Sequence, residues 1–128
     1  LPTVLNGKPV KTRQGRFLHQ AITGSTSPTM FVGADAERLA HVHDQVKLPI
    51  YGGDCYLYGM LAIGSIDLVI EKGLSDYDYL APTAMIQAAG GIVTGWKGER
   101  LGIDTTDSVV AAGDPKLHAE VLRLLNDS

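Results

Sequence analysis

A succession of apolar runs around an alanine-rich helix constrains the fold of this chain more than any other feature. The run IDLVI (66–70) does not alternate apolar with polar residues, which is typical of a parallel strand covered on both faces. The segment after it places apolar residues at helical spacing and stops at Gly90-Gly91. IVTGW (92–96) and SVVAAG (108–113) predict two further strands. This order predicts an α/β fold, with a mostly parallel sheet and helices on both faces.

The remaining elements follow from turn signals and apolar spacing. The alternating segment TVLNGKPVKT turns at Asn6-Gly7, a strong hairpin signal. Asp114-Pro115 has the cap and the first-turn residue of a last helix. Residues 16–24 stay ambiguous. Three further segments have the apolar pattern of a regular element: helices over 34–46 and 55–63, and a short strand over 47–53.

Pro82 restricts where the alanine-rich helix can begin. Proline fits only within or next to the first turn, so the helix is predicted to start near Asp78 or Tyr79. Aspartate is a preferred residue at a helix start, so capping alone would explain Asp78. The alternative is that its carboxylate points out of the helix start into a site. Asp76, two residues earlier, is interpreted as a solvated turn residue.

Composition and charge argue against several classes of partner. The 128 residues suffice for one domain, and a formal charge of -3 without a basic cluster argues against nucleic acid. No apolar run approaches the roughly 20 residues that span a bilayer, so no membrane partner is expected. The single cysteine, Cys55, excludes an internal disulfide and fits a reducing compartment, for which we expect the cytoplasm. Because the sequence starts at Leu1 within an element, we expect a longer polypeptide.

Three carboxylates occupy equivalent places in the predicted sheet. Asp54 follows Gly52-Gly53, where a strand leads into a helix. Glu71 terminates the IDLVI strand, and Asp78 opens the next helix. The carboxyl ends of parallel strands meet at one edge, so we expect these side chains there together. Paired glycines allow close approach of a ligand, and converging carboxylates suit Mg²⁺ bound with phosphate oxygens. Helix capping and a phosphate-handling metal site both remain open at this point.

Two long segments resemble the C-terminal half of the inositol monophosphatase superfamily. They are GGDCYLYGMLAIGSIDLVIEKGLSDYDYLAPTAMIQAAGG and VVAAGDPKLHAEVLRLL. Tyr77-Asp78 before a helix that stops at Gly90-Gly91 is similar to the family's second signature, with Tyr in place of the usual Trp. GGDCY, the Glu-x-Gly-Leu before the Asp, TSP and the AGDP…LH tail are similar to the histidinol-phosphatase branch. The resemblance implies the C-terminal domain of an α-β-α-β-α fold.

The same resemblance implies Mg²⁺-dependent hydrolysis of a small phosphate monoester, with histidinol phosphate as the favoured substrate. Asp78 is then a Mg²⁺ ligand. Glu71 and Asp54, together with the Gly53 backbone, contact the alcohol or ammonium part of the substrate. A carboxylate at position 54 suits a substrate amine, because the two form a charge-assisted hydrogen bond. Members of the family usually pair, so the resemblance also implies a homodimer.

No stretch of the chain matches the family's Asp-Pro-x-Asp-Gly-Thr loop, its Glu-Glu pair or its water-activating Thr. We therefore expect no catalytic residue within 1–128, which would be one C-terminal α/β domain of a longer phosphatase and inactive by itself. Two alternatives stay open. One is an inositol 1-phosphate phosphatase or a related sugar or nucleotide phosphatase, and the other is a non-catalytic truncated module that mediates assembly.

Four other residues receive structural interpretations. His41 and His43 lie two apart on a predicted helix, on nearly opposite sides, so they cannot chelate one metal together and are expected on a solvated face. His118 lies on the last helix and is expected to have a packing role. Trp96 ends a predicted strand and is expected in the core.

Overall fold

The structure, a computed structural model, describes residues 4–5, 7–52, 56–72, 76–100 and 108–126. The first strands and helix are β1 (Val4–Leu5), β2 (Lys8–Pro9), β3 (Ile22–Ser25), α1 (Ala34–His43) and β4 (Leu48–Tyr51). They are followed by α2 (Tyr56–Ala62), β5 (Leu68–Lys72), α3 (Asp76–Ala88), β6 (Ile92–Thr94), β7 (Ser108–Ala112) and α4 (Pro115–Asn126). From β3 onward strands and helices alternate, apart from the connection between β6 and β7.

Five strands form one sheet in the order β4-β3-β5-β7-β6. β3 runs parallel to both β4 and β5. β7 lies between β5 and β6 and runs antiparallel to both. Hence β3, β4, β5 and β6 all point the same way, and β7 is reversed among them. The α/β prediction is confirmed, and the sheet is mixed because β7 runs antiparallel to both of its neighbours.

Both faces of the sheet are covered by helices, as predicted. In β5, Leu68 and Ile70 pack with α1 and α4, whereas Val69 packs with α2 and α3. β7 repeats this alternation, with Val110 facing one layer and Val109 the other. Each of these side chains is buried. The two-sided core explains why these strands read as continuous apolar runs.

The hairpin predicted at Asn6-Gly7 is confirmed by its strands. β1 and β2 pair antiparallel with Leu5 opposite Lys8, outside the main sheet. Gly7 has a φ of 80°, which glycine adopts without the penalty that a side chain would bring.

The predicted start of the alanine-rich helix is wrong by two or three residues. α3 begins at Asp76, so Pro82 lies inside the helix instead of in its first turn. Proline there removes one backbone hydrogen bond and costs roughly 3 kcal/mol relative to alanine. Burial of Ile86 and Ala89 on the same helical segment offsets that cost. Asp76 is accordingly the first helical residue, and the interpretation of it as a turn residue is wrong.

The ambiguous stretch 16–24 contains most of β3, which lies in the parallel half of the sheet. Its sequence ITGS has a single large apolar residue, so it lacks the pattern of a buried strand. Gly24 packs closely against α2, because a Cβ at this position would lie 2.7 Å from a methyl carbon of Leu57, whose side chain would have to shift. The helix predicted over 34–46 is shorter, because α1 ends at His43.

A strap formed by residues 12–15 crosses the amino edge of β5. The backbone N–H of Thr12 donates to the carbonyl of Ala89 at 2.9 Å, at the end of α3. Its hydroxyl donates to the carbonyl of Gly113 at 2.8 Å, just after β7. The strap therefore ties two distant segments of the chain to the same edge of the sheet.

Arg13 of this strap, which is partly exposed, forms an ion pair with the buried Asp67, which directly precedes β5. Nε and Nη2 of Arg13 donate to the two carboxylate oxygens at 2.8 and 2.7 Å. The N–H of Ile22, the first residue of β3, donates to the same carboxylate at 2.8 Å. The hydrogen bonds from the guanidinium to Asp67, more than their mutual charge, raise the pKa of Arg13.

Candidate functional site

The carboxyl ends of β3, β4 and β5 meet at one edge of the sheet because these strands are parallel. Glu71 lies at this edge near the end of β5, as predicted. Thr26 follows β3, and Gly52 follows β4. Gly53 and Asp54, which we predicted to contact substrate, lie outside the described residues, as does Cys55. Thus β3, β4 and β5 bring Thr26, Gly52 and Glu71 to one edge, which we call the carboxyl edge.

The carboxylate of Glu71 is buried, with 1% of the residue exposed. The backbone N–H of Thr26 donates to its Oε2 at 2.9 Å, and the Thr26 hydroxyl donates to its Oε1 at 2.9 Å. Glu71 alternates with Ile70 along β5 and so points to the face covered by α2 and α3. A buried carboxylate requires such donors, and two donors from one residue fix the orientation of its plane.

Thr26 also contacts the strand next to its own. Its carbonyl oxygen accepts a hydrogen bond from the N–H of Gly52 at 2.9 Å. Gly52 has a φ of 88° and is the last described residue before the segment with Gly53 and Asp54. The hydroxyl of Ser25 donates to the carbonyl of Ile70 at 2.6 Å and secures the end of β3 against β5. Sequence reasoning missed Thr26, because its position opposite Glu71 depends on strand register.

Asp78 lies in the first turn of α3, the helix that follows β5. The prediction that Asp78 opens this helix is wrong, because the helix begins two residues earlier, at Asp76. The start of a helix carries a partial positive charge, which favours a carboxylate there. The side chain of Asp78 is outside the part of the chain that the structure describes in detail.

The donors at the carboxyl edge fit a divalent cation of the Mg²⁺ type. In the described ranges no three His, Cys, Asp or Glu side chains cluster as a complete protein cage. Mg²⁺ does not require one, because it commonly takes one or two carboxylates and completes its shell with phosphate oxygens and water. The backbone places Asp78 in the first turn of α3, and a carboxylate is the kind of ligand that Mg²⁺ takes.

The other face of the same edge is closed by packing. Lys72, next to Glu71 but on the opposite face, lies 5.2 Å from the centre of the Trp96 ring and 3.9 Å from a carboxylate oxygen of Asp35. Trp96 is 4% exposed and stacks on Phe31 with ring centres 6.0 Å apart. The prediction that Trp96 packs in the core is confirmed.

The histidines differ in exposure and in their partners. His118 is buried on α4, with its Nε2 at 2.8 Å from the hydroxyl of Thr94, and burial lowers its pKa. This supports the packing role that we predicted. His41 is exposed, as expected, whereas His43 is half-buried against Tyr51, and that burial lowers its pKa. The solvated-face prediction is therefore right for His41 and wrong for His43.

Three layers of α/β structure with polar groups gathered at the carboxyl edge are the arrangement of domains that bind ligands at that edge. The sequence pattern of the Inositol monophosphatase family matches residues 2–128. The chain belongs to this family, so the predicted resemblance to the superfamily is confirmed. Within the described ranges, no helix has both the length and the apolar character needed to cross a membrane.

Individual relatives agree with the family match. The chain is 43% identical over 130 residues to the bifunctional phosphatase IMPL2, chloroplastic, of Arabidopsis thaliana, covering 96% of the chain and 38% of that protein. It is 40% identical over 74 residues to the histidinol-phosphatase of Streptomyces coelicolor, covering 58% of the chain and 27% of that protein. A solved structure of an inositol monophosphatase from Zymomonas mobilis matches with a TM-score of 0.94 at 35% identity, covering 99% of this chain and 50% of the other. The chain thus spans half or less of the length of these relatives.

Proposed function

We propose that this chain is the C-terminal α/β domain of a longer Mg²⁺-dependent phosphatase, with histidinol phosphate as its favoured substrate. The family match over residues 2–128 supports hydrolysis of a phosphate monoester. The relative with 43% identity is named a bifunctional phosphatase, and the relative with 40% identity over a shorter segment is named a histidinol-phosphatase. The specific substrate is the part of the proposal that most needs a direct test.

The carboxyl edge is the observation that carries this proposal. Asp78, at the start of α3, would hold Mg²⁺ together with phosphate oxygens and water. The bound ion would neutralise charge on the phosphoryl oxygens and on the leaving alcohol. Glu71, oriented by Thr26, would accept hydrogen bonds from the alcohol or ammonium part of the substrate. Asp54, with the Gly53 backbone, would contact the same part.

The outer surfaces of the two helix layers differ in charge and support a longer polypeptide. The outer surface of α1 and α4 carries charged side chains, with Glu37, Arg38, Lys116 and Arg123 exposed. The described part of α2 and α3 has no charged side chain from 56 to 66 or from 82 to 92. Tyr56 is 77% exposed and Ile63 is 42% exposed. An uncharged helical surface of this kind is normally covered.

We infer that the rest of the polypeptide packs on α2 and α3 and supplies the catalytic residues that no stretch of this chain matches. The isolated 128 residues would then release no phosphate. Turnover by this chain alone, above a buffer blank and sensitive to a chelator, would contradict that inference. A non-catalytic assembly module would use the same uncharged surface, and it would be supported if the full-length gene product also lacked activity.

An inositol 1-phosphate phosphatase is the second candidate. It is favoured by the match to the Zymomonas mobilis structure, which covers 99% of this chain, whereas the match to the histidinol-phosphatase covers 58%. The two candidates differ in the part of the substrate that faces Asp54 and Glu71. Histidinol phosphate has an ammonium group there, and a carboxylate binds it more strongly than it binds a neutral polyol.

The deciding experiment measures phosphate release by the full-length gene product with Mg²⁺, from histidinol phosphate and from myo-inositol 1-phosphate. We expect preference for histidinol phosphate, a reduction of that preference in Asp54→Asn, and loss of all activity in Asp78→Asn. Asp44→Asn is the matched control, because Asp44 is exposed at the end of α1. Equal or reversed preference would contradict the histidinol phosphate assignment but would still agree with phosphatase activity.

A homodimer and a cytoplasmic location complete the proposal. The single cysteine supports a reducing compartment. Light scattering of the purified full-length protein would test the dimer, which requires twice the mass of one polypeptide. Fractionation of cells that produce the protein would test the location, since the Arabidopsis thaliana relative is named as chloroplastic.

A further inference from the structure

Thr26 uses all three of its polar groups to connect the two parts of the proposed substrate wall. Its N–H and its hydroxyl donate to the two carboxylate oxygens of Glu71, each at 2.9 Å. Its carbonyl accepts from the N–H of Gly52 at 2.9 Å. Glu71 belongs to one part of the wall, and Gly52 precedes Gly53 and Asp54 of the other part. Thr26 therefore connects the end of β5 to the residue that follows β4.

The two donors on Thr26 reach different oxygens of the Glu71 carboxylate, Oε2 and Oε1. Hydrogen bonds to both oxygens fix the orientation of the carboxylate plane. The N–H donor is fixed by the backbone at the end of β3. The hydroxyl is therefore the part of the contact that a side-chain substitution can remove.

We propose that Thr26 is a positioning residue that holds the Glu71 carboxylate in the orientation needed to accept a hydrogen bond from the hydroxyl or ammonium group of the substrate. This inference rests on the proposed function, because it assigns Glu71 to the substrate wall. The proposal assigns Thr26 no contact with the phosphoryl group. Removal of the Thr26 hydroxyl is therefore expected to lower kcat/KM most for substrates that have a hydrogen-bond donor on their alcohol part.

The test uses four variants of the full-length protein. Thr26→Val keeps the shape and the N–H but removes the hydroxyl, and Thr26→Ser restores the hydroxyl. Thr23→Val is the matched control on the same strand, because Thr23 is 1% exposed and its hydroxyl has no partner among the described residues. Glu71→Gln serves as the reference for loss of the wall itself. If Thr26→Val does not fold, Thr26→Ala is read in the same way.

Two substrates separate positioning from general damage. Histidinol phosphate carries an ammonium group, whereas p-nitrophenyl phosphate has a leaving group without a hydrogen-bond donor. For Thr26→Val we expect kcat/KM for histidinol phosphate to fall roughly tenfold, mainly through KM, with p-nitrophenyl phosphate changed less than about twofold. Thr26→Ser and Thr23→Val should stay within about threefold of wild type for both substrates.

Other outcomes overturn the inference in distinguishable ways. If Glu71→Gln is selective for histidinol phosphate but Thr26→Val behaves like Thr23→Val, the positioning role is wrong and the proposed function stands. If Thr26→Val lowers kcat/KM equally for both substrates and Thr26→Ser does not restore it, the role of Thr26 is structural only. If the wild type hydrolyses neither substrate, the proposed function fails and the inference fails with it.

Discussion

Asp67 and Glu71 lie at opposite ends of β5 and are equally buried, with 1% of each residue exposed, and each is bound by a segment distant in the chain. Asp67 accepts two hydrogen bonds from the guanidinium of Arg13 and one from the N–H of Ile22. Glu71 accepts two hydrogen bonds from neutral groups of Thr26. One carboxylate is thus held by a cation of the strap, and the other is held by neutral donors at the carboxyl edge.

The difference shows how a single strand can serve stability at one end and ligand binding at the other. A bidentate guanidinium cancels the charge of Asp67 and locks the strap to the amino edge. At Glu71 the two hydrogen bonds from Thr26 restrict the orientation of a carboxylate that we propose to face the substrate. We therefore expect changes at the Asp67 end to lower stability first, and changes at the Glu71 end to lower activity first.

Arg13→Met gives the largest expected effect on stability. It leaves the Asp67 carboxylate buried without its cation. Because 26% of the Arg13 side chain is exposed, we expect the lower end of the cost of breaking a buried pair from one side, about 3 kcal/mol. For a protein of the relatives' size this corresponds to a fall in Tm of about 6–12 °C. Thermal unfolding of the full-length protein is the measurement. The matched control is Lys11→Met, because Lys11 is exposed and lies two positions away. A decrease in Tm of less than about 3 °C for Arg13→Met would refute the structural role.

His118 is expected to have a smaller effect on the free energy of unfolding, and that effect depends on pH. It is independent of Asp67 and Glu71. Burial holds its pKa in the folded state below the ordinary value of 6.5. The unfolded chain therefore binds more protons as the pH falls through about 6.5. The stability contributed by neutral His118 is complete above that pH and is lost below it, by at most about 1.4 kcal/mol per pH unit.

The measurement is the urea midpoint at pH 7.5 and at pH 5.5 for wild type, His118→Gln and the exposed control His41→Gln. His118→Gln should show a smaller loss of stability on acidification than wild type does. Some pH dependence should persist, because burial also lowers the pKa of His43. The assignment fails if His118→Gln and His41→Gln have the same pH dependence as wild type.

Local patterns in the sequence predicted the order of elements well, and they could not predict which strands become neighbours. The apolar runs of β5 and β7 indicated two-sided burial correctly. The reversal of β7 between β5 and β6 depends on pairing between residues distant in the chain. β3 was left ambiguous because ITGS is suited to close packing at Gly24 and has little hydrophobic signal.

The candidate site was predicted in part for the same reason. Glu71 and Asp78 could be placed from their positions after a strand and at a helix start. Thr26 could not, since its contact with Glu71 joins residues 45 positions apart. The Arg13–Asp67 pair joins residues 54 positions apart and left no local signal either. The start of α3 was misplaced because tertiary packing tolerates Pro82 inside the helix.

The most direct test of the different roles of the two carboxylates is the kcat/KM of full-length Glu71→Gln for histidinol phosphate, measured with its thermal unfolding. Gln keeps the volume of the side chain and an oxygen for the N–H of Thr26, so Tm should change by less than about 3 °C. Loss of the charge facing the substrate should lower kcat/KM about 10- to 100-fold. Activity near that of wild type, or a fall in activity matched by a large fall in Tm, would contradict the account.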